Sequence, residues 1–244
     1  MTDAGQGKAF GDRSWGQARH RDRGFGERQG GGGGRRRHGR QGAAHDGVDL
    51  RLTIRDLPAA QADAILDDAT ALVRARAGHS IYAEGDKDLP AVILDLCRER
   101  RLTIALAESC TGGLLGARLT SIPGSSDVVL GGVIAYANEI KRDLLGVSTS
   151  VLTEHGAVSE AVVQQMAEGV RDRLGASIGI GITGVAGPSG GTPEKPVGTV
   201  WIAAALPDGA RARLLRLLGD RDEIRRRATQ SSLELVRRAL IEKD

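Results

Sequence analysis

The run ASIGIGITG (Ala176–Gly184) carries no charge over nine residues and sets glycine at alternate places in its middle. An uncharged run of this length, rich in isoleucine and bounded by glycine, reads as a buried strand. Its alternate glycines demand that a neighbouring element pack close against one face. The chain around it has the material for such a core. Of its 244 residues 40% are apolar, but only 2% are aromatic, so the interior must be built from Ala, Val, Ile and Leu. That composition suits buried strands with helices packed on them.

From Asp88 onward helices and strands alternate. Leu89, Val92, Ile93, Leu96 and Cys97 follow a helical face, which predicts a helix over Leu89–Arg100 and a core thiol at Cys97. The strand LTIALAE follows, then a helix from Thr111 to Thr120 and a second strand over Asp127–Ala137. NEIKRDLLG reads as a short helix closed by Gly146, and Ser159 and Gly175 bracket a longer one. After the glycine-spaced strand, GTVWIAAAL and ARLLRLL form a hairpin around Pro207-Asp208-Gly209, and a last helix runs over Arg221–Leu240. The expected fold is α/β, a three-layer α/β/α domain with a mixed sheet over 88–244.

Residues 48–87 read as a small α+β piece: a strand over Val48–Ile54, a helix over Ala59–Gly78 and a strand over Ser80–Asp86. So small a unit is expected to pair with the main domain or with another copy, giving a homo-oligomer. Residues 1–47 hold twelve glycines in the first forty positions and read as a disordered Gly/Arg-rich tail. The first forty residues carry a net +6, which leaves −3 for the rest of a chain whose overall charge is +3. The basic tail, with Phe10, Trp15 and Phe25 interspersed, suits weak nucleic-acid binding through charge and stacking. Two cysteines make neither a disulfide framework nor a metal spacing. The N-terminus lacks an apolar signal core and no apolar run is long enough to span a bilayer, so a cytoplasmic protein without membrane contact is expected.

Three stretches carry chemistry. In open α/β sheets ligands sit beyond the carboxyl ends of strands. AESCTGG leaves a strand at Glu108, places Ser109 and Cys110 at the turn, and offers the amides of Thr111, Gly112 and Gly113 to an anion. Ser109 is there a helix cap or a nucleophile, Cys110 is the rival nucleophile, and Glu108 either orients the site or caps the helix. The loop Thr183–Gly198 has five glycines and three prolines in sixteen residues, which lets backbone approach a ligand while holding its shape. AYANEIK places Tyr136 at a strand end, Asn138 as the cap of the next helix and Lys141 in its first turn. Lys141 is there either an exposed surface lysine or a base, since burial and the helix N-terminus would depress its pKa and supply a neutral amine.

Taken in order, AESCTGGLLGARLTSIPGSS, GGVIAYANEIKRDLLGV, GAVSE, GITGVAGPSGGTPEKPVGTV and GDRDEIRRRA resemble the CinA C-terminal family, the PncC-type nicotinamide-nucleotide amidases. The segment Val48–Asp86 is similar to the end of the KH-like linking domain of full-length CinA proteins. The molybdopterin-binding-like domain of the longer pattern is replaced by the Gly/Arg tail. The resemblance implies hydrolysis of nicotinamide mononucleotide to nicotinic acid mononucleotide and ammonia, a pyridine-nucleotide salvage step, with no metal or other cofactor. It makes Ser109 the nucleophile, Lys141 the general base and Tyr136 the assisting tyrosine. Loop chemistry adds Ser125, Ser126, Thr183, Gly184, Ala186, Gly187, Gly190 and Gly191 as contacts for phosphate and ribose; Arg221 reads foremost as a surface arginine, with a phosphate contact as the alternative. The competing expectation is a non-catalytic module tied to competence or DNA damage.

Overall fold

The computed structural model describes residues 11–16 and 47–242. The chain divides into two compact units, Met1–Lys87 and Asp88–Asp244. In the first, β1 (Gly11–Gly16) pairs antiparallel with β2 (Asp49–Ile54), Gly11 opposite Ile54 and Gly16 opposite Asp49. A strand therefore stands inside the stretch expected to be a disordered tail, because β2 offers it a pairing edge; the rest of residues 1–46 lies outside the described residues. Helix α1 (Ala59–Ala77) follows, burying Ala62, Leu66 and Thr70. Ser80–Asp86 is not a strand. Gly78–Ser80 is a 3-10 turn, Glu84 makes only an isolated bridge, and its carboxylate is held by Arg74 of α1 through two hydrogen bonds of 2.6 and 2.7 Å.

The second unit is a five-stranded mixed sheet in the order β4-β3-β5-β6-β7, with β3, β4 and β5 parallel and β6 antiparallel to β5 and β7. Its strands are β3 (Ile104–Glu108), β4 (Val129–Ile134), β5 (Ile178–Gly184), β6 (Thr199–Leu206) and β7 (Gly209–Arg216). Helices α2 (Leu89–Arg100), α3 (Leu114–Thr120) and α7 (Arg221–Ile241) cover one face; α4 (Asn138–Leu145), α5 (Thr149–His155) and α6 (Glu160–Leu174) cover the other. The caps follow chain chemistry. Asp220 and Glu223 form a capping box at α7, Ser159 Oγ accepts from Val162 N at α6, and Gly146 and Gly175 end α4 and α6 in the left-handed region. Among the described residues no helix is long and apolar enough to cross a membrane.

Three boundaries differ from those expected. Helix α3 begins at Leu114 rather than Thr111, because Gly112 and Gly113 take φ of 58° and 95° and hold the chain in a turn. Strand β4 is shorter than expected: Ser125–Asp127 is a 3-10 turn, and pairing with β3 ends at Ile134. Helix α5, not anticipated, occupies the Thr149–His155 stretch between Val147 and the GAVSE segment.

Alternation along the strands decides what the site receives. On β3, Ala105 and Ala107 pack with Val162, Met166 and Val170 of α6, whereas Leu106 and Glu108 approach Gly116 of α3. On β5, Gly179 and Gly181 lie under α6. A Cβ at Gly179 would collide with the Ala167 carbonyl oxygen, and one at Gly181 would stand 2.6 Å from the Val163 carbonyl oxygen. The close approach expected from the alternating glycines is thus made by the backbone of α6. Gly179→Ala is expected to destabilise by about 1–3 kcal/mol. At roughly 2–4 °C per kcal/mol for a chain of this size, thermal denaturation will read a lower Tm. An unchanged Tm would show that α6 has room to move away.

Candidate active site

Glu108 ends β3 as a residue 2% exposed, and three backbone amides claim its carboxylate. Oε2 accepts from Gly113 N at 3.0 Å and Leu115 N at 3.1 Å, and Oε1 accepts from Gly116 N at 2.8 Å. The carboxylate therefore caps α3, where an anion is favoured. Gly112 N donates to the Ser109 carbonyl at 3.1 Å. This corrects the expectation that Gly112 and Gly113 offer their amides to substrate, since both are used within the turn. Among the described residues, the N–H groups of Cys110 and Thr111 have no acceptor beyond the sulfur of Cys110 itself. Ser109, fixed to β5 by donating its N–H to the Ile182 carbonyl at 2.9 Å, enters a cleft on the α4 side of the sheet.

Lys141 faces that cleft from the first turn of α4, and it is 1% exposed. Asn138 is not the cap of this helix: Ala137 holds the cap position without a side-chain bond, and Asn138 lines the cleft instead. Lys141 Nζ donates to the carbonyls of Ala135 at 2.8 Å and Tyr136 at 3.1 Å. Burial pushes its pKa below the ordinary lysine value, and the weaker influences of Cys110 and Glu139 push it back up. A neutral amine has two N–H bonds and one lone pair. With both protons held by main-chain carbonyls, the lone pair takes the remaining tetrahedral direction and is free to accept a proton.

The cleft has a volume of about 260 Å³. Of the residues expected from sequence it gathers Ser109, Tyr136, Asn138 and Lys141, together with Thr183, Gly184, Ala186, Gly187 and Gly190 from the end of β5 and the loop after it. Glu108, Thr111, Gly112, Gly113 and Gly191 stand outside the lining. Ser125 and Ser126 sit at the wrong end of the sheet. They precede β4, which runs parallel to β3, so they belong to the edge opposite Ser109.

Sequence reasoning had not selected Ala157, Val158, Val185 and Ser189, which also line the cleft, and had read Arg221 foremost as a surface residue. The signal for Arg221 was topological. Strand β7 runs in the same direction as β5, so the helix after it starts at the edge where β3 and β5 end. Arg221 Nη1 donates to the Gly187 carbonyl at 2.7 Å and Nη2 to the Tyr136 hydroxyl at 3.1 Å. It thus ties the glycine-rich loop to the end of β4, and among the described residues it makes no ion pair. The phenol of Tyr136, a residue 61% exposed, is held by Arg221, whereas Lys141 meets Tyr136 at its carbonyl. Cys110 borders the same cleft, but burial pushes its thiol up to about 12, with Arg221 and Arg225 pulling the other way. At neutral pH it is a thiol, not the activated thiolate expected of a cysteine at a helix start.

Residues 86–240 match the family model described as the CinA C-terminal domain. A CinA-like protein of Gemmatimonas aurantiaca is 59% identical over 195 residues, 80% of this chain and 46% of that protein. One of Salinibacter ruber is 50% identical over 80% of this chain and 47% of its own length. The chain thus spans about half the length of the curated relatives it matches. Among solved structures, a competence/damage inducible protein from Agrobacterium tumefaciens is 42% identical with a TM-score of 0.61, covering 63% of this chain and 93% of that one. The competence damage-inducible protein A of Klebsiella pneumoniae is 33% identical with a TM-score of 0.62, covering 64% of this chain and 97% of that one. With the family model spanning well over half its length, the chain belongs to the CinA C-terminal domain family.

Proposed function

We propose that the second unit hydrolyses the carboxamide of nicotinamide mononucleotide to the carboxylate and ammonia. The observation that carries this reading is the buried Lys141 amine, its two N–H groups held by main-chain carbonyls, in the same cleft as Ser109. A desolvated lysine without a carboxylate partner is costly to keep for packing alone, and it suits a base.

Lys141 takes the Ser109 hydroxyl proton as Oγ bonds to the carboxamide carbon, and the carbonyl electrons move to oxygen. The N–H of Cys110, a residue that borders the cleft, is the candidate donor for that oxyanion. Protonated Lys141 gives its proton to the amide nitrogen, the C–N bond breaks, and ammonia leaves an ester on Ser109. Water then attacks the ester with Lys141 again taking a proton, and collapse restores the Ser109 hydroxyl and frees the acid. Ammonia release from nicotinamide mononucleotide by the purified protein tests the reading, and none above the Ser109→Ala background would sink it.

Arg221 is the cation at the cleft rim and suits the phosphate of a mononucleotide. Loss of a charge-assisted contact of about 1.5–3 kcal/mol corresponds to a rise in KM of roughly tenfold to a hundredfold. Arg221→Ala is expected to raise KM for the mononucleotide by that amount and to spare the phosphate-free nucleoside. Equal losses on both substrates would assign Arg221 to Tyr136 and the loop rather than to phosphate.

A further inference from the structure

We infer that Arg225, on the last helix, is a positioning residue for the proposed deamidation: it holds the Thr111 carbonyl and sets a fixed positive charge behind the turn that carries Ser109. The inference rests on the amidase reading. Arg225 Nη2 donates to the Thr111 carbonyl at 2.8 Å, and a Cβ at Gly112 would stand 3.7 Å from the same nitrogen. Arg225 does not line the cleft, so it acts through the turn and not on substrate.

Two observations separate this from ordinary packing. The carboxylate nearest to Arg225, that of Asp222, is 3.4 Å away with its side chain 79% exposed, whereas the Arg225 side chain is 28% exposed. Solvent screens such a pair and leaves the guanidinium charge largely uncompensated. Moreover, Arg225 Nε and Thr111 Oγ1 are both buried and without a hydrogen-bond partner among the described residues. An anchor selected for stability alone would satisfy these groups.

The charge has a use where it stands. Glu108 holds the far side of the turn through Gly113, Leu115 and Gly116, and Gly112 closes on Ser109. Arg225 adds a second donor to the Thr111 carbonyl, which also accepts from Leu114 N at 3.3 Å, and so holds the peptide whose N–H, that of Gly112, closes on Ser109. Its field reaches Cys110, where it opposes the effect of burial on the thiol together with Arg221. Glu108 and Lys141 are the other charged or titratable groups facing that residue. For an oxyanion forming next to Ser109, the fixed charges of Arg225 and Arg221 offset the opposing charge of Glu108, and Arg225 is oriented before reaction.

The test compares Arg225→Gln and Arg225→Lys with the wild-type chain in two assays: kcat and KM for nicotinamide mononucleotide, and the rate at which a fluorophosphonate phosphonylates Ser109. Glutamine is expected to lower kcat and the phosphonylation rate together by about tenfold to a hundredfold, with KM within about twofold, and lysine to regain part of both. The inference is overturned if the glutamine variant labels at the wild-type rate, if its loss is all in KM, or if lysine is no better than glutamine. Should the glutamine variant fail to fold, the lysine variant decides: KM unchanged with a partial loss of labelling supports the role, and a wild-type rate overturns it. If wild-type Ser109 is phosphonylated but no ammonia is released, the amidase reading fails and the labelling rates alone judge Arg225. If wild-type Ser109 is not labelled, both fall.

Discussion

Ser109→Ala is expected to lower kcat for nicotinamide mononucleotide by at least about 10⁴-fold, while Cys110→Ala retains most of the activity. The two side chains are adjacent and border the same cleft, so proximity does not choose between them. Protonation state does. A thiol attacks as thiolate, and Cys110 is buried in surroundings that push its pKa up to about 12, so little thiolate exists at neutral pH. Glu108 adds to that effect by holding its negative charge against the helix start, where the amides would otherwise stabilise a thiolate. A serine has no such need of prior ionisation if a neutral amine removes its proton during attack. Loss of the Cys110 sulfur leaves a small gap worth about 1 kcal/mol of stability, and kcat per folded molecule stays close to wild type. Steady-state ammonia release with Tm measured in parallel separates the two variants. If Cys110→Ala abolishes turnover and Ser109→Ala does not, the assignment is reversed.

The sequence carried most of the fold because its signals were local and periodic. The alternate glycines of β5 announced a close neighbour, and the Ser159 cap marked where α6 begins. The misplacements arose where two local signals competed. Ser109-Cys110-Thr111 before two glycines reads as a helix start, yet the left-handed backbone at Gly112 and Gly113 delays α3 to Leu114. The same delay moves the cap from a serine hydroxyl to the Glu108 carboxylate, five residues upstream of the first capped amide. Ser125 and Ser126 were chosen for their hydroxyls, but the parallel pairing of β3 and β4, a non-local fact, puts them at the other edge. Arg221 shows the converse. Nothing in its own neighbourhood distinguishes it from a surface arginine, and only the direction of β7 brings it to the cleft. From position alone Lys141 read as a surface lysine or a base, and only the family resemblance favoured the base; what the structure adds is its burial and the two main-chain carbonyls that hold its amine.

Lys141→Arg is expected to lose almost as much activity as Lys141→Ala, although it keeps the charge. A guanidinium does not deprotonate in the accessible pH range and so offers no lone pair. The sign of the pH dependence follows from the same group. Burial lowers the Lys141 pKa below the ordinary lysine value. The fraction of neutral amine rises as pH rises through that lowered pKa, so kcat/KM should climb along a limb lying acid to the roughly 10.4 of a free lysine. Stability obeys the matching linkage. The unfolded chain binds a proton to this lysine that the folded chain has released, so stability rises with pH between the folded pKa and the unfolded one, and the burial penalty is fully present below the folded pKa. Tyr136→Phe should cost less than either lysine change. The phenol is engaged by Arg221, whereas the contact with Lys141 uses the main-chain carbonyl, which phenylalanine retains. A pH–rate profile of wild type beside ammonia release by the three variants measures all of this at once. An arginine variant with near-normal turnover would exclude Lys141 as base and reduce it to a fixed cation, and the phenolate of Tyr136 would then have to take the proton.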